Sequence, residues 1–440
     1  MKKAGMAAAT LIVAFAGAAG AAELSPSMEP EQQESGKING LPDQANAPDW
    51  VPAWERAGAP SVTLQEGPAR RVQMDPHVLD RLDKDLEAGI ENGFFPGAVV
   101  LAAREGTIVK HEAYGEALRY DADGNVLSEA ERIAAETDTI YDFASLTKTF
   151  TSTAAVQLIE AGALSLDDSV TDYIPEMEES FTVRQLLTHT SGLPAWIPLA
   201  FLDDEEARWQ AIYDTAPQMD PGEAYIYSDL NMILLGQIIE EVSGLTLDTY
   251  MEEEIFEPLG MDDTMFNPAA DLQERIAATE LQPALNRGLV WGSVHDENAY
   301  SLGGAVGHAG LFGTTSDLAV FLQTLLNGGV YDGERILEAD TVKEMLTDQI
   351  GGVSGLGQGL GFNLNREWFM GELAPTAAGH TGFTGTSFVI DPETNTMAIL
   401  LTNRVHPTRD AGSINPWRLD LVNTVTDSIN AHPANRKGGK

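Results

Sequence analysis

Residues 142–150 read Asp-Phe-Ala-Ser-Leu-Thr-Lys-Thr-Phe and put a hydroxyl and an amine three residues apart, at Ser145 and Lys148. Apolar residues recur at helical spacing from Phe150 to Ile159, which predicts a helix that ends near Gly162. Ser145 then lies in the first turn and Lys148 one turn later, on the same face. A Ser-x-x-Lys motif also arises by chance in a serine-rich chain, so it needs support from other motifs.

The start of a helix changes the chemistry of both side chains. Its unpaired N–H groups favour an anion, and the same positive end disfavours a protonated amine. Lys148 is therefore predicted to accept a proton from Ser145, which is how a serine becomes a nucleophile.

The composition excludes several classes of site. The 440 residues contain no cysteine, so disulfides, thiolate metal sites, a cysteine nucleophile and a lipidated cysteine are ruled out. The formal net charge is −41, which makes nucleic acid an improbable partner. The acidic residues are spread along the chain, as in surfaces that tolerate high salt, and a halophilic origin is one interpretation.

The N-terminal segment predicts export. Lys2 and Lys3 precede an apolar run over residues 6–18 and the small residues Ala19-Gly20-Ala21, which is typical of a signal peptide over residues 1–22. An uncleaved anchor is the alternative, although no later run is long enough to span a membrane. We expect a mature chain without a stable span, in the periplasm or released.

The rest of the chain predicts one folded domain. Residues 23–74 read as a linker or extension, part of which is expected to dock through Trp50 and Trp54. One folded domain is predicted over 75–431, with a short tail at 432–440. An amphipathic helix before Gly93, a hairpin over 97–103 and 107–114, strands at 388–391 and 397–402, and a helix over 416–429 are expected. These elements predict an α+β (α/β) fold, with an antiparallel sheet flanked by terminal helices and a helical insertion at about 145–300.

A second chemical cluster, Tyr227-Ser228-Asp229, stands where a loop meets an apolar helix. A phenol there can pass a proton if a neighbouring cation favours its ionised form, and a following polar group can hold a substrate amide. The other interpretation is a tyrosine that closes the core. His189 is expected to be structural, whereas His295 or His308, beside glycine-rich stretches, could line a cleft. No metal site and no cofactor are expected, since neither histidine has a partner at ligand spacing.

The third cluster is His380-Thr381-Gly382, and the three clusters in this order resemble the serine β-lactamase and penicillin-binding-protein family, in its class C-like branch. The likeness runs from about residue 75 to 429. Residues 307–312 and 400–407 resemble the penicillin-binding protein 4B-like serine hydrolases. The fold that this resemblance implies is the β-lactamase/transpeptidase fold.

The resemblance also implies roles. Ser145 attacks an acyl carbonyl, Lys148 and Tyr227 share its proton, and the backbone N–H groups of Ser145 and Phe383 form the oxyanion hole. Asp229, His380 and the two residues that follow it, Thr381 and Gly382, contact the substrate. The implied partner is a small molecule or a peptidoglycan-derived peptide, cleaved through an acyl-enzyme.

Two positions depart from the family pattern. Asp229 replaces an asparagine and brings a negative charge towards Lys148, while His380 replaces a lysine and offers a neutral or switchable group for a substrate carboxylate. β-Lactam hydrolysis is therefore expected to be weak, and esters or D-amino-acid peptides remain open. An acyl sensor without turnover and a wall-binding protein are the alternatives. A Ser-His-Asp hydrolase is disfavoured, because the chain has no Gly-x-Ser-x-Gly motif.

Overall fold

The structure is a computed structural model that describes residues 35–37, 50–56, 61–351, 356–373 and 376–435. The predicted signal peptide and residues 436–440 of the predicted tail lie outside the described residues. Within these ranges, nine strands form the main sheet. They are β1 Gln65–Glu66, β2 Gly97–Arg104, β3 Thr107–Leu118, β4 Ile133–Ala134, β5 Gly357–Gln358, β6 Asn363–Leu364, β7 Ala378–Thr381, β8 Ser387–Asp391 and β9 Thr396–Thr402.

The strand order of the sheet is β5-β6-β7-β8-β9-β2-β3-β1, with β4 also paired to β3. All pairs are antiparallel except β1 with β3. The first and last parts of the chain therefore meet at the β2–β9 pair, which confirms the predicted sheet of sequence-distant strands. Smaller ladders join Ser35–Lys37 to Ala224–Ile226, Leu311–Gly313 to both Tyr141–Asp142 and Met265–Phe266, Leu281–Gln282 to Gly288–Leu289, and Val330–Tyr331 to Glu334–Arg335.

The central strands β2 and β9 are buried on both faces, which explains their unbroken apolar sequences. Successive side chains of a strand point to opposite faces, so each strand feeds two cores. One face carries Val99, Leu101, Ala103, Met397, Ile399 and Leu401, and the other carries Ala98, Val100, Ala102, Ala398 and Leu400.

Five longer helices cover these faces: α1 Arg81–Glu91, α2 Thr147–Glu160, α3 Asp229–Ser243, α4 Thr315–Leu326 and α5 Asn415–Ala431. Helices α1 and α5 pack on one face, while α4 packs on the other, beyond which α2 and α3 contact each other. Shorter helices are Pro76–Leu79, Val183–Leu187, Glu205–Tyr213, Leu247–Met251, Glu257–Leu259, Glu297–Ser301, Ala339–Met345 and Glu367–Met370. The predicted terminal helices and helical insertion are thus present.

The β2–β3 hairpin agrees with its predicted position. Its turn residues Glu105 and Gly106 both have positive φ, 49° and 72°, as the tight two-residue hairpin turn requires. The sheet begins earlier than the predicted domain boundary at residue 75, because Gln65 and Glu66 pair with β3. Trp50 and Trp54 pack against the core, as expected of a docked extension.

No single helix among the described residues is both long and apolar enough to cross a bilayer. Helix α3 and the segment Leu247–Leu259 satisfy length and composition only when taken together, and they are bent by 77°.

Candidate active site

Ser145 lies in a 3-10 turn, Ala144–Leu146, between the strand Tyr141–Asp142 and helix α2. The α-helix itself begins at Thr147, so Ser145 precedes it. The spacing had predicted that Ser145 lies within the first turn. Ala144 has φ of +48°, a left-handed conformation that strains a residue with a side chain. The carboxylate of Asp142 accepts the Ala144 N–H at 2.8 Å and holds this conformation just before Ser145.

Lys148 is buried, with 1% of its side chain exposed, and its nitrogen contacts three acceptors. These are Ser145 Oγ at 2.9 Å, the carbonyl oxygen of His308 at 3.0 Å and Asp229 Oδ1 at 2.9 Å. An ammonium has three donors, and all three are matched here. The geometry therefore favours a charged Lys148, whereas the helix terminus alone had predicted a neutral amine.

Tyr227 follows directly after the strand Ala224–Ile226 and is buried. The Lys148 nitrogen lies 4.9 Å from the centre of its ring, and the ring of His380 lies 6.0 Å away on β7. The fold thus brings the three sequence-distant clusters together around Lys148.

His189 packs against Tyr227, with ring centres 4.7 Å apart. Its Nδ1 accepts the backbone N–H of Ser228 at 3.2 Å and faces the Asn231 amide nitrogen at 3.1 Å. Burial and nearby cations, Lys148 first among them, hold the pKa of His189 well below its usual range. A neutral His189 therefore holds the start of α3 in position, in keeping with the expected structural role.

His380 is buried on β7, close to Lys148 and Tyr227. Its Nδ1–H donates to the Thr381 carbonyl at 2.9 Å, and only 2% of the residue is exposed. Burial, with a further contribution from Lys148, lowers the pKa of His380 to about 3. Of the two expected behaviours, a neutral or a switchable group, burial and this lowered pKa favour the neutral ring near neutral pH.

The turn after β7 is bound tightly to the segment before Ser145. Thr384 Oγ1 donates to the Asp142 carbonyl at 2.7 Å, and Thr386 Oγ1 donates to the Phe143 carbonyl at 2.9 Å. A Cβ on Gly382 would lie 2.5 Å from the Phe143 oxygen, so only glycine fits there. Thr381 pairs with Ser387 in the sheet, ahead of this turn.

Ser145 and Phe383 both line the cleft. Within the described residues, neither the Ser145 N–H nor the Phe383 N–H donates a hydrogen bond. Both residues are half-buried, and backbone N–H groups left open at a cleft can donate to a ligand oxygen.

The part of the cleft lined by His295, Asp296, Glu297, His308 and Arg409 forms a charged wall whose ion pairs the sequence did not reveal. His308 Nε2 lies 2.9 Å from Asp296 Oδ1, and His295 Nε2 lies 2.9 Å from Glu280 Oε2. Burial raises the pKa of Asp296, but His308 outweighs it and holds that pKa well below the usual range. Burial likewise raises the pKa of Glu280, and His295 and Arg409 outweigh it. Both carboxylates are therefore ionised.

Arg409 completes this wall and stacks over Phe383 at 5.3 Å from the ring centre. Its guanidinium pairs with both Glu280 and Glu297. Trp196 also lines the cleft. No sequence motif identifies these residues together, because they come from separate loops. The acidic and aromatic stretch around residue 291–298 was a partial signal, and both His295 and His308 line the cleft as predicted.

Among the described residues, Asp229, Asp296 and His308 are side chains of types that can bind a metal ion. Their ligand atoms lie within 4.8 Å of one another. Asp229 is bonded to Lys148 and His308 to Asp296, so these atoms already have partners.

The β-lactamase family model matches residues 82–423, and the chain belongs to that family, which is one of serine hydrolases. Ser145, Lys148 and Tyr227 lie together within the matched range. An Escherichia coli K12 protein named "Putative D-alanyl-D-alanine carboxypeptidase" is 36% identical over 377 residues, which cover 78% of this chain and 86% of that protein.

Solved structures agree on the fold. EstCE1, a hydrolase with promiscuous acyltransferase activity, has a TM-score of 0.63 at 21% identity. The match covers 79% of this chain and 98% of the EstCE1 chain. The octameric penicillin-binding protein homologue from Pyrococcus abyssi also has a TM-score of 0.63, at 24% identity. The match covers 80% of this chain and 79% of the homologue.

Proposed function

We propose that Ser145 is the nucleophile of an acyl-enzyme hydrolase that prefers neutral acyl esters. The observation that carries the proposal is the 2.9 Å contact between Ser145 Oγ and a buried Lys148 nitrogen, beside two unpaired backbone N–H groups. A hydroxyl held against a buried amine, at the mouth of an oxyanion site, is the arrangement that acyl transfer needs.

In the proposed acylation, Ser145 Oγ bonds to the substrate carbonyl carbon and its proton moves to the Lys148–Tyr227 pair. The oxyanion binds the N–H groups of Ser145 and Phe383. The carbon–oxygen bond to the leaving alcohol then breaks, and the alcohol takes the proton from the pair. Water repeats these steps and releases the acid. Lys148 begins as an ammonium, so it must first share a proton with Asp229, 2.9 Å away, before it can accept one.

The preference for neutral substrates is inferred from the charges in and beside the cleft. His380 is neutral, Arg409 is paired with two glutamates, and Asp296 is ionised. A substrate carboxylate would meet no unpaired cation among these residues, and losing a charge-assisted contact costs about 1.5 to 3 kcal/mol. Neutral esters do not need that contact.

A second candidate function is cleavage of a D-alanyl-D-alanine peptide. The E. coli relative that is 36% identical over most of the chain carries that activity in its name. A peptide of this kind has a terminal carboxylate, which the cleft described above does not favour, so we rank it below the esters. An acyl sensor that reacts once without turnover is the remaining alternative.

We further propose that the chain is exported, from the N-terminal pattern of Lys2, Lys3 and the apolar run, and that nucleic acid is not a partner. N-terminal sequencing of the protein recovered from a periplasmic or culture fraction tests export. A mature chain that starts near residue 23 supports it, and an intact Met1 in the cytosol contradicts it.

A substrate panel tests the proposed activity. Short-chain p-nitrophenyl esters, a D-Ala-D-Ala peptide and a cephalosporin are compared by kcat/KM, with Ser145→Ala as the blank. We expect esters to react fastest, with many turnovers per enzyme. A single burst without turnover would indicate the sensor, and a cephalosporin that outpaces every ester would contradict the assignment.

A further inference from the structure

Arg418 is a buried arginine at the fourth position of helix α5, with 1% of its surface exposed. Its Nη2 donates to the Gly382 carbonyl at 2.7 Å and to the Thr386 carbonyl at 2.9 Å. Its Nη1 donates to Asn415 Oδ1 at 2.8 Å. The helix dipole disfavours a cation so near an N-terminus, and burial disfavours it further, so the position is energetically unfavourable unless these contacts compensate.

The two carbonyls that Arg418 binds are the ends of one tight turn. The Gly382 N–H donates to the Thr386 carbonyl at 2.8 Å, and the Gly385 N–H donates to the Gly382 carbonyl at 3.0 Å. Each carbonyl oxygen therefore accepts one bond from the turn and one from Arg418, which uses both lone pairs. The guanidinium thus holds the turn that carries Phe383.

The Gly382 carbonyl and the Phe383 N–H belong to the same peptide unit. In a trans peptide they point in opposite directions, so the N–H faces away from Arg418. This is one of the two N–H groups at the cleft that have no hydrogen-bond partner within the described residues. A cationic donor on the carbonyl pulls electron density from the amide and makes its N–H a stronger donor, because linked hydrogen bonds polarise one another.

We propose that Arg418 is a positioning residue of the oxyanion hole, which orients and polarises the Gly382–Phe383 peptide from behind. The inference rests on the proposed function, since it needs Phe383 to bind an oxyanion. Arg418 itself touches no substrate. It acts on the reaction through one peptide unit.

Arg404 offers a matched control on the same turn. It is also buried, and its Nε donates to the Phe383 carbonyl at 3.1 Å. That carbonyl belongs to the next peptide, whose N–H is that of Thr384. Loss of Arg404 therefore removes a buried guanidinium from the turn without removing the donor behind the Phe383 N–H.

The test compares p-nitrophenyl acetate with its thiono analogue, because a C=S group is a poor acceptor and gains little from an oxyanion hole. Removing one oxyanion donor costs about 10²- to 10³-fold in kcat, and a weakened donor should cost less. We expect Arg418→Met to lower kcat for the oxo ester about 10- to 100-fold, with KM within about threefold, and to lower the oxo/thiono ratio. Arg418→Lys should restore part of the ratio, and Arg404→Met should leave it unchanged.

A folded Arg418→Met with an unchanged ratio overturns the proposal and leaves Arg418 a purely structural role. If that variant does not fold, Asn415→Ala removes only the acceptor of Arg418 Nη1. We expect the oxo/thiono ratio to fall about twofold, and an unchanged ratio overturns the proposal.

Fluorophosphonate labelling of Ser145 in the wild type separates this inference from the proposed function. Labelling with an unchanged ratio defeats only this inference, whereas no labelling and no ester hydrolysis defeat the proposed function.

Discussion

The side-chain nitrogen of Lys148 lies 2.9 Å from a carboxylate oxygen of Asp229, and both side chains are almost fully buried. Removing one partner of a buried ion pair typically costs about 3 to 5 kcal/mol, because the other charge is left uncompensated. Loss of either partner should therefore destabilise the resting site. In the proposed mechanism, the pair also holds the proton that Lys148 must share before it can accept one from Ser145.

Asp229→Asn keeps the shape of the side chain and an acceptor oxygen but removes the charge. Because this carboxylate is the charge next to the group proposed to take the Ser145 proton, the acid-side limb of the kcat/KM pH profile should move to lower pH. Ester hydrolysis from pH 4 to 10 measures the shift. Asp263→Asn is the control, since it disrupts only the Arg275 pair outside the cleft. An unmoved limb in Asp229→Asn would show that the carboxylate does not govern the proton transfer.

His380→Lys should change substrate preference. The variant supplies the cation that the neutral wild-type ring lacks, so KM for an anionic cephalosporin should fall about ten- to a hundredfold, equivalent to about 1.5 to 3 kcal/mol. Ester kinetics should change little. His380→Gln serves as the neutral control and should resemble the wild type. Equal cephalosporin kinetics in all three proteins would refute our account of this position.

His406 predicts a dependence of stability on pH. Its Nε2 accepts the N–H groups of Arg119 and Tyr120, at 3.1 Å each, and its Nδ1–H donates to the Thr279 carbonyl at 2.8 Å. Burial lowers its pKa to about 4. The unfolded chain then binds this proton more readily than the folded one. The contribution of the neutral His406 ring to the free energy of unfolding is complete above about pH 6.5. It is lost as the pH falls towards 4, by about 1.4 kcal/mol per pH unit.

Urea unfolding at pH 7.5 and pH 5 tests this dependence. The wild type should lose about 1 to 2 kcal/mol more of its free energy of unfolding between these pH values than His406→Gln does. His77→Gln, at an exposed site, should lose as much as the wild type. Equal losses in the wild type and His406→Gln would contradict the assignment of a neutral buried ring.

Local patterns predicted the elements that carry the site. The spacing of Ser145 and Lys148, the apolar period of α2, and the unbroken apolar runs of β2 and β9 are all short-range features, and the folded chain reproduces them. The order of the three clusters could also be predicted, because the residues of each cluster lie within a few positions of one another in the sequence.

Long-range properties were not readable in the same way. Arg418 acts on backbone carbonyls, which have no signature in a sequence, and it lies 36 residues from Gly382. Asp296 and Arg409 reach the cleft from loops whose paths depend on the whole fold. The charge state of His380 depends on burial, which a motif cannot report. For this reason the motif identified His380 but left open whether its ring is neutral or switchable.

The central claim is that Ser145 forms the acyl-enzyme, and intact-mass analysis after fluorophosphonate treatment, followed by peptide mapping, tests it most directly. We expect one adduct per chain on Ser145, its absence in Ser145→Ala, and loss of ester hydrolysis in parallel with labelling. An adduct on another residue, or full ester hydrolysis by Ser145→Ala, would contradict the claim.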